Sequence, residues 1–329
     1  MKLIIQIPCF NEEETLAETV SDLPTELEGF ESVELLVIDD GSTDRTSEIA
    51  RELGVDHIIR FPNNRGLATA FATGLQTSLE LGADVIVNTD GDHQYQGDSV
   101  RRLVRPILDG EADMVVGDRH VETIRHFSMT KKLLQRLGSQ VVRWTSGTNV
   151  ADATSGFRAL SREAALRLVV FSSYTYTLET IIQAGKKGLA VISVPVATNE
   201  IRRESRLIGS IARYVLTSAV TILRIFLMYD ALKVFSIASA LPLLGGLALL
   251  GRFGYFFFIG QGQGHIQSLI IAAILIVVAF QTLLLGLLAD LIAKNRRLSE
   301  DANYRLRKLD LAQSADRMAA PFAHRGRLD

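Results

Sequence analysis

Two aspartates separated by one glycine, Asp90-Gly91-Asp92, directly follow the apolar run VIVNT and could hold a divalent cation. Gln94 comes two residues later and offers an amide oxygen. Oxygen ligands of this kind suit Mg²⁺ or Mn²⁺, with diphosphate oxygens and water completing the coordination. A cation held there would neutralise charge on a departing diphosphate. The sequence therefore predicts a metal site at Asp90, Asp92 and Gln94, although Asp-x-Asp by itself is also common in turns and helix caps.

A second acidic pair, Asp39-Asp40, ends another apolar run. Carboxylates in this place could accept hydrogen bonds from a nucleobase N–H group or a ribose hydroxyl. The following Ser42 and Thr43 are candidates for capping the next helix, so part of this segment has a structural explanation. We predict that both aspartates contact a nucleotide.

The elements that must position these residues alternate over residues 1 to about 200. Short β-branched apolar runs (KLIIQIP, VELLVIDD, DHIIRF, ADVIVNTD, ADMVVGD and LAVISVPV) are separated by polar, helix-like stretches. This rhythm is typical of an α/β fold in which helices connect parallel strands. Ligand sites in such sheets lie at the carboxyl ends of the strands, where both acidic motifs and Asp118-Arg119 fall. No glycine-rich dinucleotide fingerprint follows the first run, which argues against a Rossmann dehydrogenase.

Beyond residue 232 the composition becomes that of a membrane protein. No Asp, Glu, Lys or Arg lies between Lys233 and Arg252, or between Arg252 and Asp290. Two spans, about 234–258 and 267–289, are each long enough to cross a hydrocarbon core of about 30 Å. The short GQGQGH connection predicts a helical hairpin with both ends on one side. Basic residues flank those ends and are absent from the turn (Arg224, Lys233, Lys294, Arg296 and Arg297), which predicts a cytoplasmic catalytic domain and C-terminus.

Between the two regions, Arg206, Arg213 and Arg224 share one face of an otherwise apolar helix pattern. This favours a helix lying in the membrane interface, and a core helix with one solvated stripe is the alternative. The predicted organisation is therefore a catalytic domain, an interfacial segment, a transmembrane hairpin and a charged cytoplasmic tail, over residues 1–203, 204–232, 233–291 and 292–329.

The overall composition excludes some partners. The formal net charge of −2 gives no support for nucleic-acid binding, which usually requires a strong basic excess. The single cysteine, Cys9, excludes an intrachain disulfide and is expected to be buried at a strand end. The N-terminal apolar run is too short for a signal peptide, and none is predicted.

Taken together, the motifs resemble the glycosyltransferases of family two, which have the GT-A fold. Within that family the chain is similar to the dolichol-phosphate mannose synthase and polyprenyl-phosphate glycosyltransferase group, some of which carry C-terminal anchors. The resemblance covers about residues 1–210 and rests on ordered blocks: IPCFNEEETL, VIDDGSTDRT, NNRGLATAFATGL, NTDGDHQY, MVVGDR, DATSGFRALS and RESRL. Several blocks in order are far more specific than any one of them.

The resemblance implies roles for individual residues. The donor base is expected near Pro8, Asn11, Glu12 and Asp40, and the metal and donor diphosphate at Asp90, Gly91, Asp92 and Gln94. Arg119 matches the arginine that meets the transferred sugar phosphate, and Arg203 and Arg206 match basic residues that close on the diphosphate. The acceptor side is expected at Ser155–Arg158 and, by a looser match, at Arg136 and Ser139. The family often has Ser-Lys where this chain has Ser205-Arg206, which leaves the contacts of Arg206 open.

The predicted reaction is a single in-line displacement that moves a sugar from a UDP- or GDP-linked donor to a polyprenyl phosphate, with inversion at the anomeric carbon. A phosphate acceptor is already an anion and needs less help from a base than an alcohol does. One alternative is an acceptor sugar already attached to lipid or another glycan, for which Asp152 is the candidate base. Another is a non-catalytic membrane adaptor. The sequence leaves the sugar, the nucleotide and the lipid open, and Gly245, Gly246 and Gly251 suggest self-association only as a hypothesis.

Overall fold

The computed structural model describes residues 1–119, 139–140, 142–143, 146–170, 176–199, 220, 227 and 231–319. The strands in these residues are β1 (Lys2–Cys9), β2 (Ser32–Asp39), β3 (His57–Arg60), β4 (Val85–Asn88), β5 (Met114–Asp118), β6 (Arg158–Ser161) and β7 (Val191–Pro195). They form one sheet in the order β3-β2-β1-β4-β6-β5-β7. All six predicted apolar runs are strands, and the predicted α/β class is confirmed.

Helices cover the sheet between the strands: α1 (Leu16–Asp22), α2 (Thr46–Glu52), α3 (Leu67–Glu80), α4 (Ser99–Leu108), α5 (Arg162–Arg167) and α6 (Thr177–Lys186). Strand β1, next to the central strand β4, is buried from its second residue to its last. Its alternate residues, including Leu3 and Ile7, join Leu16 of α1 and Leu103 of α4 in the main core. Strand β1 is therefore covered on both faces, as expected for a strand inside an α/β sheet.

Strand β6 departs from the predicted parallel arrangement. It lies between β4 and β5 and is antiparallel to both. Its first residue, Arg158, is in register with Asn88 of β4 and Val116 of β5. The beginning of β6 therefore lies at the sheet edge where its neighbours end. The sequence did not predict this strand because RALS has only two apolar residues and no β-branched residue, unlike the predicted runs.

The C-terminal region forms a helical hairpin of α7 (Ala231–Phe258), a 3₁₀ turn (Gly262–His265) and α8 (Ile266–Ala319). Among the described residues, these two helices are long and apolar enough to cross a membrane by length and composition. The predicted spans lie inside them, and α8 continues as one helix through much of the charged tail. The interfacial helix predicted over 204–232 falls largely outside the described residues and stays a prediction.

Close contacts between α7 and α8 occur where one helix has a small residue. A Cβ atom on Gly246 would lie 2.8 Å from Ile276 Cγ1 and 3.1 Å from the carbonyl oxygen of Ala272. A Cβ atom on Gly286 would lie 2.6 Å from Phe235 Cβ. Small residues allow helices to approach closely where hydrophobic burial cannot drive their association, as in lipid. Gly246 is thus used within the hairpin, whereas Gly251 has no such neighbour within 4 Å.

The chain divides into two compact units, one of Met1–Ser218 with Asp301–Asp329 and one of Ala219–Glu300. Within the first unit, the end of α8 contacts α5. The Tyr304 hydroxyl donates to Glu163 Oε1 at 2.9 Å, and the Arg167 guanidinium lies 5.3 Å from the Tyr304 ring centroid. Arg307 Nη1 donates to the carbonyl oxygen of Leu168 at 3.3 Å. The last turns of this long helix therefore belong to the unit that contains the sheet.

We expect Gly246→Leu to destabilise the hairpin by about 1–3 kcal/mol, because the added side chain has no space against α8. Gly251→Leu is the matched control, since its Cβ would meet no atom within 4 Å. The two variants and the wild type should be compared by thermal unfolding in detergent. Equal midpoints for the two variants would contradict the close contact at Gly246.

Candidate active site

The Asp90-Gly91-Asp92 segment follows β4 at the carboxyl edge of the sheet, as the sequence predicts. Protein surrounds the Asp90 carboxylate closely, and this desolvation, followed by repulsion from Asp92, raises the pKa of Asp90 to about 7. Asp92 is exposed and accepts a hydrogen bond from the Gln94 backbone N–H group at 3.2 Å. A divalent cation bound between Asp90 and Asp92 would relieve the repulsion between their carboxylates.

Gly156 closes one side of this carboxylate. A Cβ atom at Gly156 would lie 2.7 Å from each of the Asp90 carboxylate oxygens. Contacts under 3 Å are not found for real Cβ atoms, so a side chain at this position would have to displace the carboxylate. The backbone of Ser155–Arg158, here called the SGFR block, therefore lies directly against the predicted metal site. Only glycine at position 156 leaves room for that approach.

Arg119 follows β5 and joins the two sides of the site. Its Nε donates to Asp152 Oδ2 at 2.6 Å and its Nη2 to Asp152 Oδ1 at 3.1 Å. Nη2 also donates to Thr154 Oγ1 at 2.8 Å, and Nη1 lies 3.4 Å from Gln94 Oε1. Burial alone would raise the pKa of Asp152, but the charge and hydrogen bonds of Arg119, with those of Thr154, lower it below its ordinary value.

A buried polar network anchors the end of β4. Asn88 Oδ1 accepts from Gln6 Nε2 at 2.8 Å, and Asn88 Nδ2 donates to the Gly156 carbonyl at 2.8 Å and the Tyr176 hydroxyl at 3.0 Å. The Tyr176 ring stacks on Phe71 with centroids 3.7 Å apart. This network ties β1, β4, α3 and the SGFR block to one another. It was not predicted, although Gln6 within the apolar run KLIIQIP was a usable signal, because a polar residue in a buried strand needs a partner.

Arg158, predicted on the acceptor side, is completely buried. Its guanidinium donates to the carbonyl oxygens of Ser155 at 2.7 Å, Thr177 at 2.8 Å and Ala153 at 3.1 Å, and to Thr180 Oγ1 at 2.6 Å. Burial lowers the pKa of Arg158 to about 10, so it remains charged at neutral pH. Its contribution in this structure is to hold the SGFR block in shape.

The two predicted acceptor-side serines are also buried. Ser155 has no exposed surface, and its hydroxyl is 3.5 Å from that of Tyr95. Ser139 is 5 % exposed, and its hydroxyl accepts from the Ala153 N–H group at 3.3 Å. Ser139 therefore contacts the loop that carries Asp152, and Ser155 belongs to that loop and faces Tyr95. The contact of either serine with an acceptor stays a prediction.

The acidic pair on the predicted donor side holds two loops. Asp39 is completely buried and accepts from the Ser42 N–H group at 2.7 Å and from the Ser47 hydroxyl. Asp40 accepts from the Arg65 N–H group at 2.7 Å and the Gly66 N–H group at 2.9 Å. Burial raises the pKa of Asp40, and these two backbone hydrogen bonds oppose that shift. The pair thus shapes the loops beside the predicted nucleotide site, and direct base contact stays a prediction.

Asn11 and Glu12 leave β1 in a strained turn that faces the same loop. Asn11 has a φ of 56°, its N–H group donates to Ser42 Oγ at 2.9 Å, and its Oδ1 accepts from the Thr43 N–H group at 2.8 Å. The Glu12 N–H group donates to Thr46 Oγ1 at 2.9 Å. The predicted donor-side residues are therefore brought together, with Pro8 in the buried end of β1. Arg136, Arg203 and Arg206 lie outside the described residues and stay predictions.

Enzymes from other organisms are similar to more than half of this chain. Polyprenol monophosphomannose synthase of Mycolicibacterium smegmatis is 28 % identical over 60 % of this chain and 78 % of its own. UDP-N-acetylglucosamine–dolichyl-phosphate N-acetylglucosaminyltransferase of Methanococcus voltae is 30 % identical over 58 % of this chain and 83 % of its own. This chain is thus similar to enzymes whose names include different sugars.

A solved structure supports the fold independently. Glucosyl-3-phosphoglycerate synthase from Mycobacterium tuberculosis, in complex with Mn²⁺, UDP and glucosyl-3-phosphoglycerate, superposes with a TM-score of 0.54 at 22 % identity. The match covers 67 % of this chain and 79 % of that one. At this identity the likeness concerns the GT-A fold. The family model for glycosyl transferase family 2 matches residues 4–168, which include the Asp90-Gly91-Asp92 segment, Arg119 and the SGFR block. The chain belongs to glycosyltransferase family 2.

Proposed function

We propose that this protein transfers a sugar from a nucleotide-diphosphate donor to a polyprenyl phosphate at the cytoplasmic face of a membrane. The names of the similar proteins support a polyprenyl or dolichyl phosphate acceptor. The two apolar helices support membrane attachment, since they would hold the enzyme where a lipid phosphate emerges. Because the names of those proteins include different sugars, the choice of sugar and nucleotide remains for experiment.

The burial and ion pairing of Asp152 are the main support for a phosphate acceptor over a hydroxyl acceptor. A hydroxyl acceptor needs a general base, and Asp152 is the carboxylate that the sequence offers for that role. In the structure Asp152 is 4 % exposed, is bound through both oxygens to Arg119 and has a lowered pKa. A carboxylate in this condition is a poor proton acceptor. A phosphate acceptor, which is already ionised at neutral pH, does not require one.

The residues of the Asp90-Gly91-Asp92 segment fit a hard divalent cation. No group of three or more His, Cys, Asp or Glu side chains in the described residues could hold a metal alone, so ligands from the donor would have to complete the site. Asp90 and Asp92, with the Gln94 amide, would hold Mg²⁺ or Mn²⁺, and the similar solved structure binds Mn²⁺ with UDP. The cation would supply charge neutralisation for the diphosphate leaving group.

The remaining steps belong to side chains of this chain. Arg119 would meet the phosphate oxygens near the transferred sugar, and Arg203, Arg206 and Arg136 are proposed to close on the diphosphate and acceptor phosphate. Holding the acceptor phosphate opposite the leaving diphosphate would make the displacement in-line, with inversion at the anomeric carbon. The loops held by Asp39 and Asp40 would frame the nucleotide.

Lipid extraction tests the reaction directly. Purified protein in detergent, with Mg²⁺ or Mn²⁺ and undecaprenyl phosphate, should pass label from one of a panel of UDP- and GDP-sugars into the organic phase, and EDTA should abolish the transfer. Asp92→Asn should lower kcat by about 100- to 1,000-fold, the typical effect of removing one electrostatic stabiliser. The exposed Glu111→Gln is the control and should retain wild-type activity. Transfer only to a lipid-linked sugar would replace this proposal with the elaborated acceptor, and nucleotide binding without transfer would favour an adaptor.

Metal affinity should rise with pH. The pKa of Asp90 is raised to about 7, so a proton occupies this carboxylate below that pH and competes with the cation. Ionisation between pH 6 and pH 8 predicts about a tenfold increase in Mn²⁺ affinity. Calorimetric titration with Mn²⁺ of the protein saturated with UDP or GDP measures it. An affinity that is constant over this range would show that Asp90 is not a ligand, or that its pKa is not raised.

The cytoplasmic orientation can be tested by cysteine labelling, because Cys9 is buried and burial raises the pKa of its thiol. Gln261→Cys places a thiol in the hairpin turn, and Ser299→Cys places one on exposed α8 beyond the spans. On intact cells, a membrane-impermeant maleimide should label only the Gln261→Cys variant. The Ser299→Cys variant should be labelled only after the cells are lysed. The wild type controls for Cys9, and the reverse pattern would contradict the proposed orientation.

A further inference from the structure

One edge of the Arg119 guanidinium is fully committed to protein partners. Its Nε and Nη2 form a bidentate pair with the two oxygens of Asp152, at 2.6 and 3.1 Å. The side chains of Arg119 and Asp152 are 10 % and 4 % exposed. A bidentate pair fixes the plane of the guanidinium as well as its position, which a lysine could not reproduce.

Thr154 completes a closed set of hydrogen bonds around this pair. Its hydroxyl donates to Asp152 Oδ1 at 2.8 Å and accepts from Arg119 Nη2 at 2.8 Å, and its N–H group lies 3.2 Å from Asp152 Oδ1. One threonine therefore fixes the rotation of the aspartate and of the arginine together. A buried ion pair contributes little net stability compared with apolar packing, so this arrangement has a better explanation in orientation than in stability.

The opposite edge of the guanidinium is directed at the metal-binding segment. Arg119 Nη1 lies 3.4 Å from Oε1 of Gln94, one of the residues proposed to hold the metal. Resting on the function proposed above, we propose that Asp152 and Thr154 are positioning residues that turn the Nη1 edge of Arg119 toward the phosphate groups of the reacting substrates. Asp152 thus acts through Arg119 and takes no proton from the acceptor.

The test is a double-mutant cycle on turnover. Asp152→Asn keeps the size of the side chain but removes its charge, and we expect kcat to fall about 100-fold, the effect of misplacing a reacting group by about 1 Å. If Asp152 acts only through Arg119, the Arg119→Ala/Asp152→Asn double variant should be no slower than Arg119→Ala alone. Additive losses, or an unchanged rate in Asp152→Asn, would overturn the proposal.

A threonine pair keeps the test decisive if Asp152→Asn fails to fold. Thr154→Val removes the hydroxyl at nearly constant shape and should lower kcat about tenfold, whereas Thr154→Ser keeps the hydroxyl and should restore most of the rate. Equal rates for the two variants would count against positioning.

The pH profile of kcat/KM separates positioning from base catalysis. A positioning role lowers the whole profile of Asp152→Asn without changing its shape, whereas loss of the acidic limb would identify Asp152 as a base and overturn the proposal. Wild-type protein in the same assay reports on the proposed function itself. If it transfers no sugar, the same cycle is measured as Mn²⁺-dependent UDP and GDP affinity by calorimetry, where coupling between positions 119 and 152 supports the proposal and additivity rejects it.

Discussion

The structure depends on a carboxylate, that of Asp90, which protein surrounds at the carboxyl edge of the sheet. Asp90 follows the central strand β4, where desolvation and the nearby Asp92 both disfavour its charge. The charges of Arg119 and Arg158 act in the opposite direction. Removing a carboxylate from water costs free energy unless other charges or hydrogen bonds compensate. The surroundings of Asp90 therefore place its pKa near neutral pH, so that binding of a cation would favour the ionised carboxylate.

The same constraint explains why the SGFR block is held so firmly. Gly156 lies against the Asp90 carboxylate, and Arg158 donates hydrogen bonds to carbonyl oxygens of the same loop. Asn88 fastens the block from the other side through the Gly156 carbonyl. Buried hydrogen-bond networks of this kind favour one geometry, because a shift would leave further polar groups unpaired in a low-dielectric environment. The loop that packs against the charged site is thereby tied to the sheet.

The sequence predicts the parts of this design that follow strand periodicity. The six apolar runs and the position of Asp90 after β4 could be predicted because parallel strands end at one edge. The antiparallel β6 could not, since RALS lacks the β-branched apolar residues that mark the other strands. The pairing of Arg119 with Asp152 joins residues 33 positions apart through tertiary structure. Arg158 shows a further limit, because residue type gives no indication that the guanidinium will be buried and bound to groups of its own loop and of α6.

The reversed direction of β6 also affects how the enzyme family could diversify. Because β5 and β6 are antiparallel neighbours, the chain between Asp118 and Arg158 leaves the sheet and returns to it at one edge. Loop closure costs little more for a longer segment than for a shorter one, so this insert could change in length while its two ends stay fixed. Evolution could therefore replace this insert as a unit without moving the Asp90-Gly91-Asp92 carboxylates, which lie earlier in the chain.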